Sequence, residues 1–389
     1  LLSGFTVAFA IMLFTILFGI ANGFQNTFNN EFNGDANNSI FIYSGRTSKA
    51  VEGYQTGRRI QFDNELYKTI KDEFDDDIEF ITGRVYRNVT ASFGTEKSNY
   101  SVRAVNPDHQ FIEKSEMKQG RFINPLDLKN NTKNIVIGNL VVEDLFGEID
   151  PIGKYLDLNK IKFKIVGVFV ERTEGSDSNE ARVIYMPIST AQKIYGNNDY
   201  IDQINLTYNP LLSEQEAIAF GNKVVDKIKD IFFVAENDQS AVRARNRARE
   251  NQEITQFNGV LAILVLIIGM GTLVAGVVGI SNIMIFIVKE RTKEIGIRKA
   301  LGAPPNSIIL IIILESIFIT AIAGYVGLLI GGAVLNSFNL EEYWITDPGV
   351  SKSLVISATI TLVIAGTLAG YIPAKRAASI KPIVALRDE

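Results

Sequence analysis

The stretch "VKERTKEIGIRKALGAPPNSI", Val288 to Ile308, carries seven charged residues within the eleven positions from Lys289 to Lys299. On either side the charge disappears. Thirty-five uncharged residues separate Glu253 from Lys289, twenty-five separate Glu315 from Glu341, and twenty-two separate Lys352 from Lys375. About 20 apolar residues suffice to cross a bilayer as a helix, so each gap predicts a membrane span, and the charged stretch is a short loop between two of them. A fourth candidate, "LLSGFTVAFAIMLFTILFGIANGF", opens the sequence. Its apolar run exceeds the about 7–15 residues of a signal-peptide core, and no basic residues precede it. It reads as a first span, expected to follow a short cytoplasmic leader.

One span, a long polar region and three further spans put both ends of the chain on one side of the membrane. The positive-inside bias acts on short loops, and the loop from Val288 to Ser307 holds five Lys/Arg, the tail "PAKRAASIKPIVALRDE" four. The loop "LNSFNLEEYWITDPGV" holds none and carries Glu341, Glu342 and Asp347. Residues 1–22 are therefore expected as the first span and 23–253 as an external domain with helical stalks. The second span is expected at 254–288, a cytoplasmic helix and loop at 289–307, and the third span at 308–334. A short external loop (335–350), a fourth span (351–374) and a cytoplasmic tail (375–389) complete the division. Arg243, Arg245, Arg247 and Arg249, on the external side just before the second span, run against the charge count. They end a long domain, where the bias is weak, and read as a solvated helical stalk, with contact to lipid headgroups or an external partner as the alternative.

Composition narrows the chemistry. The chain has no cysteine and a single histidine, His109, which excludes disulfides, thiolate metal sites and multi-histidine centres. A lone His in "VNPDHQF" reads as a surface residue. "GEIDPIGKY" fails as a phosphate loop: Gly147 and Gly153 are one residue too far apart, and Tyr155 stands where Ser or Thr would hold magnesium. Asp75, Asp76 and Asp77 have no base or metal partner in the pattern and read as a solvated turn. Neither an ATP site nor a hydrolytic centre emerges, and a non-catalytic protein is expected.

The external domain reads as α+β. "SIFIYSG" is β-prone, "FDNELYKTIKDEF" spaces Leu66, Ile70 and Phe74 as a helix, and "DDIEFITGRVY" alternates as a strand. "IDQINLTY", "SEQEAIAFGNKVVDKIKD" and "IFFVA" repeat the strand, helix, strand pattern. Two such units predict a ferredoxin-like lobe, interrupted from about Met117 to Gly196 by a strand-rich insert. Within the insert, Tyr155, Leu156 and Leu158 lead through Asn159-Lys160 into Ile161, Phe163 and Ile165, a hairpin pattern.

In the spans, small residues recur four apart: Gly271, Ala275 and Gly279; Gly327 and Gly331; Gly366 and Gly370. Helices in lipid associate through close backbone approach, so these positions predict helix packing and argue against a water-filled pore. Glu315 is the acid within the spans. Near the cytoplasmic end of the third, it is read either as an interfacial group paired with Arg298 or Lys299, or as a proton-coupling site. In the charged loop, Glu294 and Arg298 stand i,i+4, Gly302 supplies a helix stop, and Pro304-Pro305 permits a restart. A short capped helix between spans is either a docking surface for a cytosolic partner or an ordinary positive-inside loop.

"GISNIMIFIVKERTKEIGIRKALGA" resembles the hallmark region of the MacB/FtsX-like family of ABC transporter permeases, and "YIPAKRAASIKPIVALRDE" resembles that family's C-terminus. "LFGEIDPIGKYLDLNKIKFKIVGVF" and "VIYMPISTAQKIYG" are similar to its periplasmic domain. The likeness runs over essentially the whole chain. It implies a homodimeric permease in the bacterial inner membrane, working with an ABC ATPase that binds ATP and magnesium; no cofactor is implied for this chain, and no nucleic-acid partner. Glu290, Arg291, Glu294, Ile295, Arg298 and Lys299 would form the coupling helix in the ATPase groove. Closure of the ATPase would pass through the spans and stalks to external lobes called porter and sabre, a mechanism termed mechanotransmission. Fused members carry an N-terminal ATPase that this sequence lacks, so a separate subunit supplies it or it was removed. Members extrude drugs and peptides through a periplasmic adaptor and an outer-membrane duct, extract lipoproteins, or activate cell-wall hydrolases. The ten-span type is excluded by span count, and the large external domain favours export.

Overall fold

The computed structural model describes residues 2–31, 36–170, 180–196, 198–338, 345, 348–349 and 352–380. They fall into two compact units, Asn30–Ile254 and the pair of segments Leu1–Asn29 and Thr255–Glu389. Residues 381–389 of the expected tail, and most of the expected loop at 335–350, lie outside the described residues.

Helix α1 (Leu2–Glu31) leads into the α+β unit. Strand β1 (Ser39–Ser44) buries its first four residues. After the short β2 (Phe62–Asp63), the Asp63 carboxylate caps α2 (Asn64–Glu73) by accepting from the Leu66 amide, and Leu66 and Ile70 are buried one turn apart. The long β3 (Ile78–Phe93) turns back into β4 (Glu96–Val105). There follow α3 (His109–Ile112), β5 (Glu116–Gly120), α4 (Pro125–Lys129), β6 (Asn134–Gly138) and α5 (Asn139–Leu145). Strands β7 (Tyr155–Leu158) and β8 (Ile161–Val170) form the expected hairpin. Asn159 and Lys160 have φ of 49° and 72°, the two positive values that a type I′ turn requires. The unit continues with β9 (Ile184–Pro187), α6 (Ile188–Ile194), β10 (Tyr200–Ile201) and β11 (Gln203–Tyr208). Helix α7 (Glu214–Ile231) opens on a reciprocal capping box between Ser213 and Glu216, and β12 (Val242–Asn246) follows.

One half of the main sheet has the order β12-β1-β11-β3. Strands β1 and β3 are each antiparallel to β11, which lies between them. With α2 joining β1 to β3 and α7 joining β11 to β12, this is the ferredoxin-like arrangement of two split β-α-β units. Ile40, Ile42, Ile81, Ile204 and Leu206 from the sheet pack with Leu66, Ile70, Phe220, Val224 and Ile228 from the helices. The sheet continues as β4-β9-β6-β8-β5, with β7 against β3 and β8. Arg84 is the residue at which β3 changes partners: its register runs with β11 up to Gln203↔Arg84 and with β4 from Arg84↔Val105 onward. The second lobe therefore begins at the β3–β4 hairpin, well before Met117.

Two sequence expectations are corrected here. "IFFVA" is not a strand: α7 ends at Ile231, Phe232 is its C-cap, and Phe233 takes φ 51°. Arg58 Nη2 donates to the carbonyls of Phe232 (2.5 Å) and Phe233 (3.0 Å), which fixes this turn. The final strand is instead β12, from "VRARN", which pairs with β1. Arg243 and Arg245 thus lie on an edge strand and not on a helical stalk. An edge strand keeps a free side in water, so charge is compatible with it.

The other unit contains α1, most of α8 (Arg247–Glu290), α9 (Thr292–Ala300), α10 (Pro305–Ser337) and α11 (Lys352–Ser379). Segments of α1, α8, α10 and α11 are long and apolar enough to cross a membrane. Close packing falls where the small residues predict it for α10 and α11. A Cβ on Gly327 would collide with the Ala8 carbonyl, and one on Gly331 would lie 2.9 Å from Thr15 Cβ, so α1 and α10 meet backbone to backbone. On Gly366 and Gly370 it would lie 2.8 Å from Ile317 Cα and Ser316 Cβ. In α8 the pattern is different. Gly279 would meet Thr6 Oγ1 at 3.1 Å, but Gly271 has nothing within 4 Å and Ala275 is exposed. Residues 271 and 275 point away from α1; Gly269 and Gly276 take the contact, with Phe14 and Val7. A groove of about 530 Å³ along α1, α8 and α11 is lined mainly by apolar side chains such as Phe14, Phe18, Leu261 and Val265.

Candidate functional site

Helix α9 is set off from α8 by Arg291, and it ends in a Schellman motif. The Ala303 amide donates to Arg298 O and the Gly302 amide to Lys299 O, with Gly302 at φ 94°. Pro305 then starts α10 at its first turn, where a missing N–H costs nothing. Along α9, residues four apart share a stripe, and residues two apart lie on nearly opposite sides. Arg291, Ile295 and Lys299 form the inward stripe. Arg291 Nη1 donates to Glu315 of α10 (3.1 Å), Ile295 is buried among Met284, Val288, Ile308 and Ile312, and Lys299 Nζ donates to the carbonyls of Ala378 (2.6 Å) and Ile380 (2.7 Å) at the end of α11. Each member of the stripe thus holds α9 to a different part of the unit. Glu315 pairs with Arg291 and not with Arg298 or Lys299: Arg298 donates to Glu294 on the flank, and Lys299, two turns along the inward stripe, donates to the end of α11.

Glu294 lies on the flank. It accepts from Arg291 Nε (2.8 Å) and Nη2 (3.1 Å) and from Arg298 Nη2 (2.9 Å), and the hydrogen bond from Arg291, aided by Arg298, holds its carboxyl below its ordinary range. Glu290 is exposed at the end of α8. The outward stripe is Lys293, Ile297 and Leu301. Ile297 is 45% exposed and Leu301 83%, so two adjacent apolar side chains stand in solvent beside a lysine.

A second concentration of charge lies in the α+β unit, where β3 changes partners. Glu113, just after α3, accepts from Arg84, from Arg103 Nη1 on β4 (3.3 Å) and from Tyr185 Oη on β9 (3.2 Å). Arg84 Nη1 also donates to Tyr86 Oη, which donates to Gln203 of β11. His109 is fully buried in this cluster, contrary to the surface position expected from its polar sequence neighbours. Arg84 Nη2 is a donor 3.4 Å from Nδ1, so the neutral ring carries its proton on Nε2. That nitrogen lies 3.0 Å from Glu113 Oε2 without the alignment of a full hydrogen bond. Burial pushes the His109 pKa down, outweighing the pull of Glu113. Burial alone would raise Glu113, but Arg84, His109 and Arg103 together hold it well below the usual carboxylate range.

The family described as MacB-like periplasmic core domain matches residues 1–219, and the family described as FtsX-like permease C-terminal matches residues 261–382. The chain belongs to the MacB/FtsX-like permeases. The Macrolide export ATP-binding/permease protein MacB of Wolinella succinogenes is 29% identical over 309 residues, covering 78% of this chain and 46% of its own length. The protein of the same name from Bdellovibrio bacteriovorus is 28% identical over 354 residues, 91% of this chain and 54% of the relative. The chain spans about half the length of these curated relatives. The crystallised periplasmic region of MacB from Actinobacillus actinomycetemcomitans aligns with a TM-score of 0.46 at 16% identity, over 57% of this chain and 94% of that one.

As a MacB-like permease, the chain is a transmembrane subunit of ABC-transporter type, with the α+β unit outside the cytoplasm. Helix α8, which is long and apolar enough to cross a membrane, separates that unit from α9 along the chain. Of the residues expected on the coupling helix, Arg291, Ile295 and Lys299 turn inward, while Glu290, Glu294 and Arg298 line the flank. Lys293, Ile297 and Leu301 were not singled out by the charge pattern; the i,i+4 apolar pair at 297 and 301 was the available signal. The four arginines at 243, 245, 247 and 249, two on β12 and two in the first turn of α8, also separate. Arg245 and the nearly buried Arg247 both pair with Glu250, and Arg249 Nη2 donates to Asn222 of α7 (2.8 Å), whereas Arg243 is exposed on β12.

Proposed function

We propose that this chain is the permease subunit of an ATP-driven export machine of the bacterial inner membrane. It works as a homodimer, and a partner ABC ATPase binds ATP and magnesium. The observation that carries the proposal is the division of α9 into two stripes. One fastens it to α10 and α11 through Glu315 and the Ala378 and Ile380 carbonyls; the other presents Lys293, Ile297 and Leu301. A helix held from behind and apolar in front fits a groove on a partner that moves. The outward stripe makes the docking contact, with Glu290 and Arg298 at its rim, and the inward residues pass the displacement to the spans.

The spans then move the extracytoplasmic domain through α1 and α8, which continue into it by chain connection. Backbone-close packing at Gly327, Gly331, Gly366 and Gly370 favours rigid transmission over an aqueous path between the helices. The relatives' names speak of macrolide export, which makes a drug or other apolar periplasmic cargo, passed to an adaptor and an outer-membrane duct, the favoured substrate class. Reconstitution of the native complex in liposomes, with a radiolabelled macrolide as probe, tests this. ATP-dependent movement of the probe supports the exporter. ATP hydrolysis with extracytoplasmic motion but no movement of any small molecule would replace it with a signalling subunit that regulates a cell-wall hydrolase, or with a lipoprotein-extracting permease.

A further inference from the structure

Glu315 lies ten residues into α10, about 15 Å along the axis from its first turn. A carboxylate at such a depth in an apolar helix is costly unless it has a partner. Its partner is Arg291, the residue that joins α8 to α9, and each of the three guanidinium nitrogens donates. Nε and Nη2 grip Glu294 on α9, while Nη1 reaches Glu315 in α10. A planar fork with three directed donors fixes orientation as well as distance. The apolar contact beneath it does not. Ile295 is buried with Ile308 and Ile312, and a half-open gap of about 30 Å³ remains between α9 and α10, lined by apolar side chains such as Ile287 and Ile311 and by Arg291, Glu294 and Glu315 themselves. Dispersion contacts around a gap leave the direction of the first turn of α9 undetermined, and Lys299 fastens only the far end of the helix to α11. Glu315 restores the constraint from inside the span.

We infer that Glu315 is a positioning residue: through Arg291 it sets the angle at which α9 presents Lys293, Ile297 and Leu301. The chain Glu294–Arg291–Glu315 is a joint that makes α9 and α10 move as one body, so that pressure on α9 shifts the third span instead of rotating the helix in place. The consequence for coupling rests on the docking role given to α9 above; the mechanical joint itself does not.

The test uses the full chain in lipid nanodiscs, with nitroxide labels at Lys293→Cys and Lys375→Cys. Both positions are exposed, and the chain has no cysteine of its own. With the labelled chain diluted in unlabelled chain, so that only distances within one protomer are read, pulsed dipolar spectroscopy should give one narrow distance peak. Glu315→Gln should lose it, Arg291→Gln should lose it, and the double variant should be no broader than either single one, because both remove the same joint. Ile297→Glu, on the outward stripe, should keep the peak, which separates loss of the joint from loss of fold. A narrow peak in Glu315→Gln, or additive broadening in the double variant, overturns the joint. In the complex assembled with the co-purified ATPase, Glu315→Gln should retain the ATPase and the KM for ATP while kcat falls. An unchanged kcat overturns the positioning role. If no ATPase binds even the wild type, the docking reading fails, while the label experiment still decides the joint.

Discussion

Replacing Glu113 by Gln attacks the point where the two lobes of the extracytoplasmic domain share β3. The carboxylate compensates Arg84 and Arg103, whose side chains are only 4% and 13% exposed. It also accepts from Tyr185 Oη. A glutamine offers one acceptor oxygen and no charge, and its NH₂ group would face guanidinium donors. The buried Arg84 then loses the carboxylate beside it, and Arg103 loses one of its partners. Removing one partner from a buried ionic group costs about 3–5 kcal/mol. In a domain of this size each kcal/mol lowers Tm by about 2–4 °C, so the expected fall is roughly 6–20 °C. Thermal melting of the full chain in mild detergent, followed by the strand signal in far-UV circular dichroism, measures it. A fall of less than about 3 °C would mean that water or a rearranged Arg84 compensates the change, and the account of the lobe junction would be wrong.

The buried His109 is the chain's one histidine, and it makes the same junction sensitive to acid. Its folded pKa is depressed, so the unfolded chain binds the proton first, and stability is lost as pH falls below the unfolded value of about 6.5, by up to about 1.4 kcal/mol per pH unit. Glu113, also depressed, adds a loss of the same sign below the ordinary carboxylate range. Denaturant titrations between these two ranges should show the slope in wild type and not in His109→Gln. Within the membrane unit, Gly327→Leu should cost about 1–3 kcal/mol or prevent assembly of the protomer, because the side chain would enter the Ala8 backbone. Gly271→Leu, with open space around it, should leave the protomer's melting temperature unchanged, as detergent-solubilised thermal shifts would show. Lys299→Ala removes two charge-assisted hydrogen bonds at the end of α11, and faster proteolysis beyond Ser379 should follow.

The membrane helices were legible because lipid imposes a coarse rule, a run without charge, that needs no tertiary partner to apply. The ferredoxin-like half was also legible, since Leu66 and Ile70 on one side and the "QINLTY" strand on the other carry their periods locally. Asn159-Lys160 announced its turn by residue type. The misread places depended on distant contacts. "IFFVA" is apolar enough for a strand, but its carbonyls are claimed by Arg58, far away in sequence. Arg243 and Arg245 look like a solvated stalk until β1 pairs with them. His109 sits among polar neighbours, and its burial is decided by β3, β4 and β9. Around α9, charge density drew attention to Arg291 and Lys299, whose side chains are spent on Glu315 and on α11. Charged residues at a membrane boundary serve internal fastening as readily as docking, and the sequence carries no mark that separates the two uses.

The central claim is that α9 docks an ATPase through its outward stripe. The most direct measurement is affinity purification of the full-length chain from its native membranes in mild detergent, in parallel with Leu301→Glu and Arg298→Ala. Mass spectrometry and ATP hydrolysis serve as readouts. Leu301→Glu buries a charge in the apolar centre of the contact, whereas Arg298→Ala trims its rim; the first should remove the ATPase and the second should leave most of it. Retention of the ATPase by well-folded Leu301→Glu, or the absence of any ATPase from the wild-type sample, would contradict the account.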